Sequence, residues 1–154
     1  VVRDGSAFGG RRGAAQDGRA PAGVRVAVAR VEQAVPDVTE EPDPAALRLA
    51  LLARPRSEPC RLDPAALRDA HDTLVRWRRA VADWARLPSR PVPDEVRARL
   101  RAAWEDDLDV PGVLQILRDV ESDPELPDGA RFETYAHADR ILGLDLVRDL
   151  GSPA

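Results

Sequence analysis

The chain contains no lysine and no methionine, a single cysteine, and only six aromatic residues (three Trp, two Phe and one Tyr) in 154 positions. Each scarcity excludes something. One cysteine can form neither an internal disulfide nor a cysteine-based zinc site. Cys60 stands in an Arg/Pro-rich stretch that lacks the base and second thiol of a reactive site, so a bland loop cysteine is the expectation. His71 and His137 are far apart and neither falls in an HxxxH spacing, so both are read as surface or core-edge histidines rather than metal ligands. No run of about 18 apolar residues and no hydrophobic leader occurs, which predicts no membrane span and a cytoplasmic location. The absence of Met, with Val1 at the start, leaves two readings open: a fragment of a longer protein, or a reading frame with an alternative start.

What is present is a core of small and aliphatic residues. The apolar fraction is 44%, ordinary for a soluble globular protein, and 154 residues suffice for one domain with a sizeable core. A net charge of −4 argues against a general nucleic-acid binder, but it averages over an uneven distribution. Residues 68–101 hold nine arginines against five acids, whereas residues 102–154 hold four against thirteen. A polyanionic partner would have to meet the arginine-rich part.

Residues 1–23 hold six of the ten glycines and no periodicity, which predicts a flexible Gly/Arg-rich arm. Residues 24–42 begin with alternating valines that fit a strand turning into a helix, then pass into a Pro-rich linker. From residue 43 to about 150 the punctuation is that of helices. Asp43-Pro44 and Asp63-Pro64 each supply an N-cap and a first helical residue ahead of Ala-Ala-Leu-Arg. The repeated DPAALR reflects a shared capping solution. In the first helix Leu47 and Leu51 are expected to face the core, and RPRSEPCRL to be a loop.

The second helix carries Leu67, Ala70, Leu74, Trp77, Val81 and Trp84 at heptad spacing. After the Pro88, Pro91 and Pro93 connection, Val96, Leu100, Ala103 and Trp104 mark a third. Val113, Leu114, Ile116, Leu117 and Val120 mark a fourth. Phe132, Tyr135, Ala138 and Leu142 mark a fifth, closed by a glycine cap at Gly143 with Leu144 as its hydrophobic latch. The expected fold is therefore all-α, an up-and-down bundle of about five helices.

Between the third and fourth helices Glu105, Asp106, Asp107 and Asp109 crowd into five positions. Paired catalytic carboxylates would need a cleft and a partner base, and a metal would need further ligands from elsewhere. Asp109 is placed to cap a helix with Pro111 in its first turn, and carboxylates there suit the positive end of the helix dipole. The cluster is accordingly read as a joint between helices.

The order of these pieces resembles the C-terminal helical, DALR-type part of cysteinyl-tRNA synthetases and the related mycothiol cysteine ligases. A D-P-x-A-L-R helix (Asp43 to Arg48) is followed by an Arg-Ser pair (Arg56-Ser57). A Trp-Arg helix (Trp77-Arg78) and a D-D-x-x-T-P helix start (Asp106 to Pro111, with Val110 in place of Thr) come next. The similarity covers roughly residues 43–120, about half the chain. It implies structural roles for Asp43, Arg48, Asp106, Asp107, Asp109 and Pro111. It also implies a bundle that supports a catalytic domain and lies along tRNA.

If VVRDGSAFGGR corresponds to the family's lysine loop, Asp4 and Gly5 are kept while Ala7 and Gly10 stand where two lysines belong. Ala and Gly cannot supply the charge that stabilises adenylate formation. The family's histidine motif, its zinc ligands and a nucleotide-binding Gly-rich loop are not found. No catalytic residue, cofactor or metal is therefore expected, nor an anticodon-reading domain.

Two functions follow from the resemblance and the charge pattern. One is a synthetase-like helical domain, not catalytic by itself, that contacts tRNA or a catalytic protein partner. The candidate phosphate contacts are Arg68, Arg76, Arg79, Arg86, Arg97 and Arg101. Pairing of these arginines with Asp72, Asp83 and Glu95 on a solvated face is the competing explanation. The other function is a helical protein-interaction or self-association module without an RNA role.

Overall fold

Aspartate and proline start the helices, as the punctuation predicts. In the computed structural model, which describes residues 31–33 and 43–151, five helices follow a short strand. They are α1 (Pro44–Leu52), α2 (Pro64–Trp84), α3 (Asp94–Glu105), α4 (Val110–Ser122) and α5 (Asp128–Leu142). The carboxylates of Asp43, Asp63 and Asp109 accept hydrogen bonds from the amides of Ala45 (2.9 Å), Ala66 (2.8 Å) and Gly112 (3.0 Å). Each satisfies one of the amides that a helix start leaves without a partner. Helices α3 and α5 instead begin directly after Pro93 and Pro127, without a side-chain cap. The fold is an all-α bundle, and the N-terminal arm proposed for residues 1–23 lies outside the described residues.

Helix α1 packs on α2, α3 on α4, and α5 bridges α2 and α4. The stripe of α2 forms the centre: Leu74, Trp77 and Val81 have no exposed surface. Tyr135 of α5 stands edge-on to Trp77 (5.6 Å between ring centroids) and to Trp84 (5.2 Å), and its hydroxyl donates to the Leu117 carbonyl at 2.8 Å. Burial, and next the negative charge of Glu121, push the Tyr135 hydroxyl above its ordinary pKa, so it stays a neutral donor. Its polar end is thus satisfied where its ring is enclosed.

Four expectations are corrected. RPRSEPCRL is not a loop throughout, because Cys60–Leu62 forms a strand, β2, that pairs in parallel with β1 (Val31–Gln33) across a connection containing α1. Cys60 and Leu62 are buried and Arg61 is exposed, so Cys60 is a core residue of a strand rather than a loop cysteine. Val31–Gln33 is a strand where the pattern of residues 24–35 suggested helix; the remainder of that segment lies outside the described residues. In α1 the buried residues are Ala46, Leu49 and Ala50, with Leu47 and Leu51 only half-buried. Almost every residue of PAALRLALL is apolar, so periodicity cannot pick the inner face, and the small alanines face the closely packed α2.

The proline connection from α2 to α3 crosses the first turn of α5. A Cβ on Gly129 would fall 2.0 Å from the Pro88 carbonyl oxygen and 3.0 Å from the Arg90 amide nitrogen. Ser89 holds the same crossing by donating to Glu133 at 2.7 Å. Both obstructing atoms are backbone, so Gly129→Ala must move a chain segment. It should lower stability by about 1–3 kcal/mol, read as a fall in the urea midpoint with an unchanged slope.

Candidate functional site

The residues carried by the resemblance come together in two places, and in both they bind each other. At the first, the Arg78 guanidinium of α2 is buried, at 5% exposure, beneath the start of α1. Its Nη1 donates to Asp43 Oδ2 at 2.9 Å, its Nη2 to the Leu144 carbonyl at 3.0 Å and its Nε to the Asp145 carbonyl at 3.0 Å. Arg148 lies 3.5 Å from the same Asp43 oxygen. Arg48, one turn into α1, donates to the Gly143 carbonyl at 2.9 Å. Gly143 has a left-handed φ of 61°, and a Cβ there would fall 2.4 Å from Arg48 Nη1. The left-handed φ selects glycine, and any side chain there would also displace the Arg48 guanidinium from its contact.

A surface cleft of about 290 Å³ opens here, lined by Asp43, Pro44, Ala45, Arg48, Arg78, Gly143, Asp145 and Arg148. Its arginines are opposed by its aspartates, and Arg78 has a protein acceptor at each guanidinium nitrogen. The Asp43 carboxyl carries the electrostatic cost of this arrangement. Burial alone would raise its pKa, but hydrogen bonds from Arg78 and the Ala45 amide, and the charges of Arg78 and Arg148, hold it below the ordinary 3.8.

At the second place, Arg56 in the α1–β2 connection donates to the carbonyl of Asp107 and pairs with its carboxylate. Asp107 and Leu108 both adopt left-handed φ, 52° and 56°. The amide of Asp109 turns back to the Ala103 carbonyl at 2.9 Å before its side chain caps α4. Asp106 is the C-cap residue of α3, and Pro111 sits in the first turn of α4. The four acids are thus the joint between two helices. Among the described residues no group of three or more His, Cys, Asp or Glu is arranged to hold a metal ion.

The six candidate phosphate contacts, Arg68, Arg76, Arg79, Arg86, Arg97 and Arg101, are all exposed. The pairing expected with Asp72, Asp83 and Glu95 is not what is seen. Arg76 pairs with Glu121 of α4 at 3.3 Å, and Arg97 with Asp94 at 3.3 Å and the Val92 carbonyl at 3.0 Å. Among the described residues Arg68, Arg79, Arg86 and Arg101 make no ion pair. Arg68 and Arg79 are separated by three whole helical turns, so they line one edge of α2 over about 16 Å, while Arg86 lies just beyond the C-cap of α2. Asp72 and Asp83 share that edge by the same spacing. His71 and His137 are exposed, consistent with their reading as surface histidines.

Several working residues carry no local sequence signal. Asp139 accepts the amides of Leu144 (2.8 Å) and Leu146 (2.9 Å), and Glu121 accepts the Trp77 indole N–H at 3.0 Å. Only the glycine cap hinted at the turn that Asp139 holds.

Removing one partner of a buried ion pair costs about 3–5 kcal/mol. Asp43 keeps some solvent and the nearby Arg148, so Arg78→Ala should destabilise by about 3 kcal/mol, at the lower end of that range. Arg78→Lys, which can reach fewer of the three acceptors, should recover only part of the loss. The Asp43 pKa is depressed in the folded state, so its contribution is complete above pH 3.8 and fades as pH falls through the folded value. The stability gap between wild type and Arg78→Ala, followed by urea unfolding, should therefore narrow as the pH falls below 3.8.

No protein-family model matches the chain, and no solved structure matches it. Curated relatives do. An L-cysteine:1D-myo-inositol 2-amino-2-deoxy-alpha-D-glucopyranoside ligase from Thermobispora bispora is 41% identical over 83 residues, 54% of this chain and 20% of that enzyme. Its namesake from Streptosporangium roseum is 41% identical over 90 residues, 58% of this chain and 21% of the enzyme. That from Segniliparus rotundus is 36% identical over 109 residues, 68% of this chain and 25% of the enzyme. The chain spans about a fifth to a quarter of the length of these relatives. Over the matched part, its similarity is to cysteine ligases.

Proposed function

We propose that the chain serves as the helical domain of a ligase that joins L-cysteine to an amino-sugar acceptor, as the relatives' names describe, and that its role there is structural. The observation that carries this reading is the mutual pairing of the motif residues. Asp43 is bound to Arg78 and Arg56 to Asp107, so the groups of these two pairs are occupied in joining α1 to α2 and the α1–β2 connection to the α3–α4 joint. Acyl activation needs cationic donors aimed at a developing charge, and neither pair leaves its guanidinium free for that task. A catalytic partner would supply the chemistry, with this bundle as its support.

A second reading, contact with tRNA, rests on the α2 edge formed by Arg68 and Arg79, with Arg86 in the turn that follows. Its support is weaker because Asp72 and Asp83 lie on the same edge, and interleaved acids oppose phosphate approach.

Replacing the matched 83-residue segment of the Thermobispora bispora ligase by the residues of this chain aligned to it should leave a folded enzyme that still joins cysteine to its amino-sugar acceptor. A chimera that is folded by circular dichroism but inactive would sink the first reading. The chain alone should give no cysteine-dependent ATP–pyrophosphate exchange; a signal would overturn its structural role. Filter binding with tRNA should show no saturable, salt-sensitive retention. Saturable binding abolished by Arg79→Glu and Arg86→Glu would instead establish the second reading.

A further inference from the structure

The segment after α5 is joined to three helices at once. Leu144 and Leu146 are fully buried in the core, and their amides are held by the Asp139 carboxylate of α5. Its carbonyls at Leu144 and Asp145 accept from Arg78 of α2, and that at Gly143 from Arg48 of α1. The same Arg78 holds Asp43, the N-cap of α1, and Arg148 of the segment approaches Asp43 from the other side. Helix α1 is only nine residues long, too short to persist on its own propensity. Beyond its apolar face on α2, its polar anchors at Asp43 and Arg48 lead to this segment directly or through Arg78.

We infer that residues 143–148 form a strap that fixes α1 in place, so that release of the strap frees α1 while the α3–α4 half of the bundle stays folded. The coupling element is physical. Arg78 keeps an acceptor at each guanidinium nitrogen only when the strap and the α1 cap are both seated, so loss of one leaves a buried guanidinium short of acceptors and weakens the other. The position of the chain entering α1, including the strand pairing of β1 with β2, then depends on a turn about a hundred residues later in sequence. This inference does not rest on the ligase reading.

The test is hydrogen–deuterium exchange, read by mass spectrometry, on the whole chain carrying Asp139→Ala. Asp139 holds the strap and makes no side-chain hydrogen bond to α1. The α1 amides from Arg48 to Ala53 should exchange faster by about tenfold or more, while those of α3 and α4 stay within about twofold of wild type. Arg99→Ala, which breaks an ion pair with Asp119 between α3 and α4, should leave α1 protection unchanged. Faster exchange at Leu144 and Leu146 with α1 unchanged would overturn the coupling. So would a uniform acceleration of every helix, which would mean one cooperative unit. If Asp139→Ala does not fold, Asp139→Asn keeps one acceptor oxygen and should give a smaller acceleration at the same amides. Unchanged α1 amides in that variant would equally overturn the proposal.

Discussion

The burial of a single guanidinium constrains much of this structure. A charged group removed from water is tolerable only when it is paired and its donors are satisfied. Arg78 meets that demand with one carboxylate and two carbonyls drawn from opposite ends of the described fold. The carboxylate also caps α1, and the carbonyls belong to the turn after α5. Helix start, helix centre and terminal turn are therefore parts of one charge-satisfaction problem. The apolar core fills in around it: Trp77, next to Arg78 on α2, is fully enclosed against Tyr135.

The same logic explains why motif residues that look functional in sequence need not touch a ligand. Asp43, Arg78, Arg56 and Asp107 belong to separate short patterns, yet the fold couples them into pairs that close its joints. A carboxylate and a guanidinium are as useful for stitching helices as for catalysis. Which use applies is decided by whether their hydrogen-bonding capacity is spent. Here it is spent on the protein for Arg78 and on the turn at Asp107 for Arg56. The four acids between α3 and α4 follow the same rule. Two left-handed residues in succession leave the backbone without regular helical partners, and Asp109 caps α4 as it restarts.

Much of the helical architecture was legible because its determinants are local. Aspartate before proline marks where a helix begins, heptad spacing in α2 marks which side is buried, and Gly143 marks an end. The strand at Cys60–Leu62 escaped notice because three residues give no usable alternation and its hydrogen bonds go to a segment about thirty positions away. The inner face of α1 escaped because the helix is apolar at every position but Arg48, which leaves little periodicity to read. The candidate site was only half legible. Its residues were visible through the order of the motifs, but their partners were not, because pairing across 35 or 95 residues is a property of the fold. Asp139 is an unremarkable acid on a helix until the turn beyond it needs its amides satisfied.

The absence of lysine also bears on this design. An ammonium group offers its donors from one atom, whereas guanidinium nitrogens spread them in a plane and can meet acceptors on different sides. Arg78 uses this spread fully, with Nε, Nη1 and Nη2 each directed at a different residue. Arg131 uses it too, reaching Asp128 and the Asp123 carbonyl while its guanidinium carbon lies 5.8 Å from the centroid of Trp84. A chain whose every cation is arginine can join helices through planar, multidentate contacts with short acids and exposed carbonyls. Small alanines then suffice where larger apolar residues would otherwise have to fill the contact between α1 and α2. On this reasoning the compositional bias and the packing scheme are linked: a chain poor in aromatics is held in register by a few arginines that each answer to several elements.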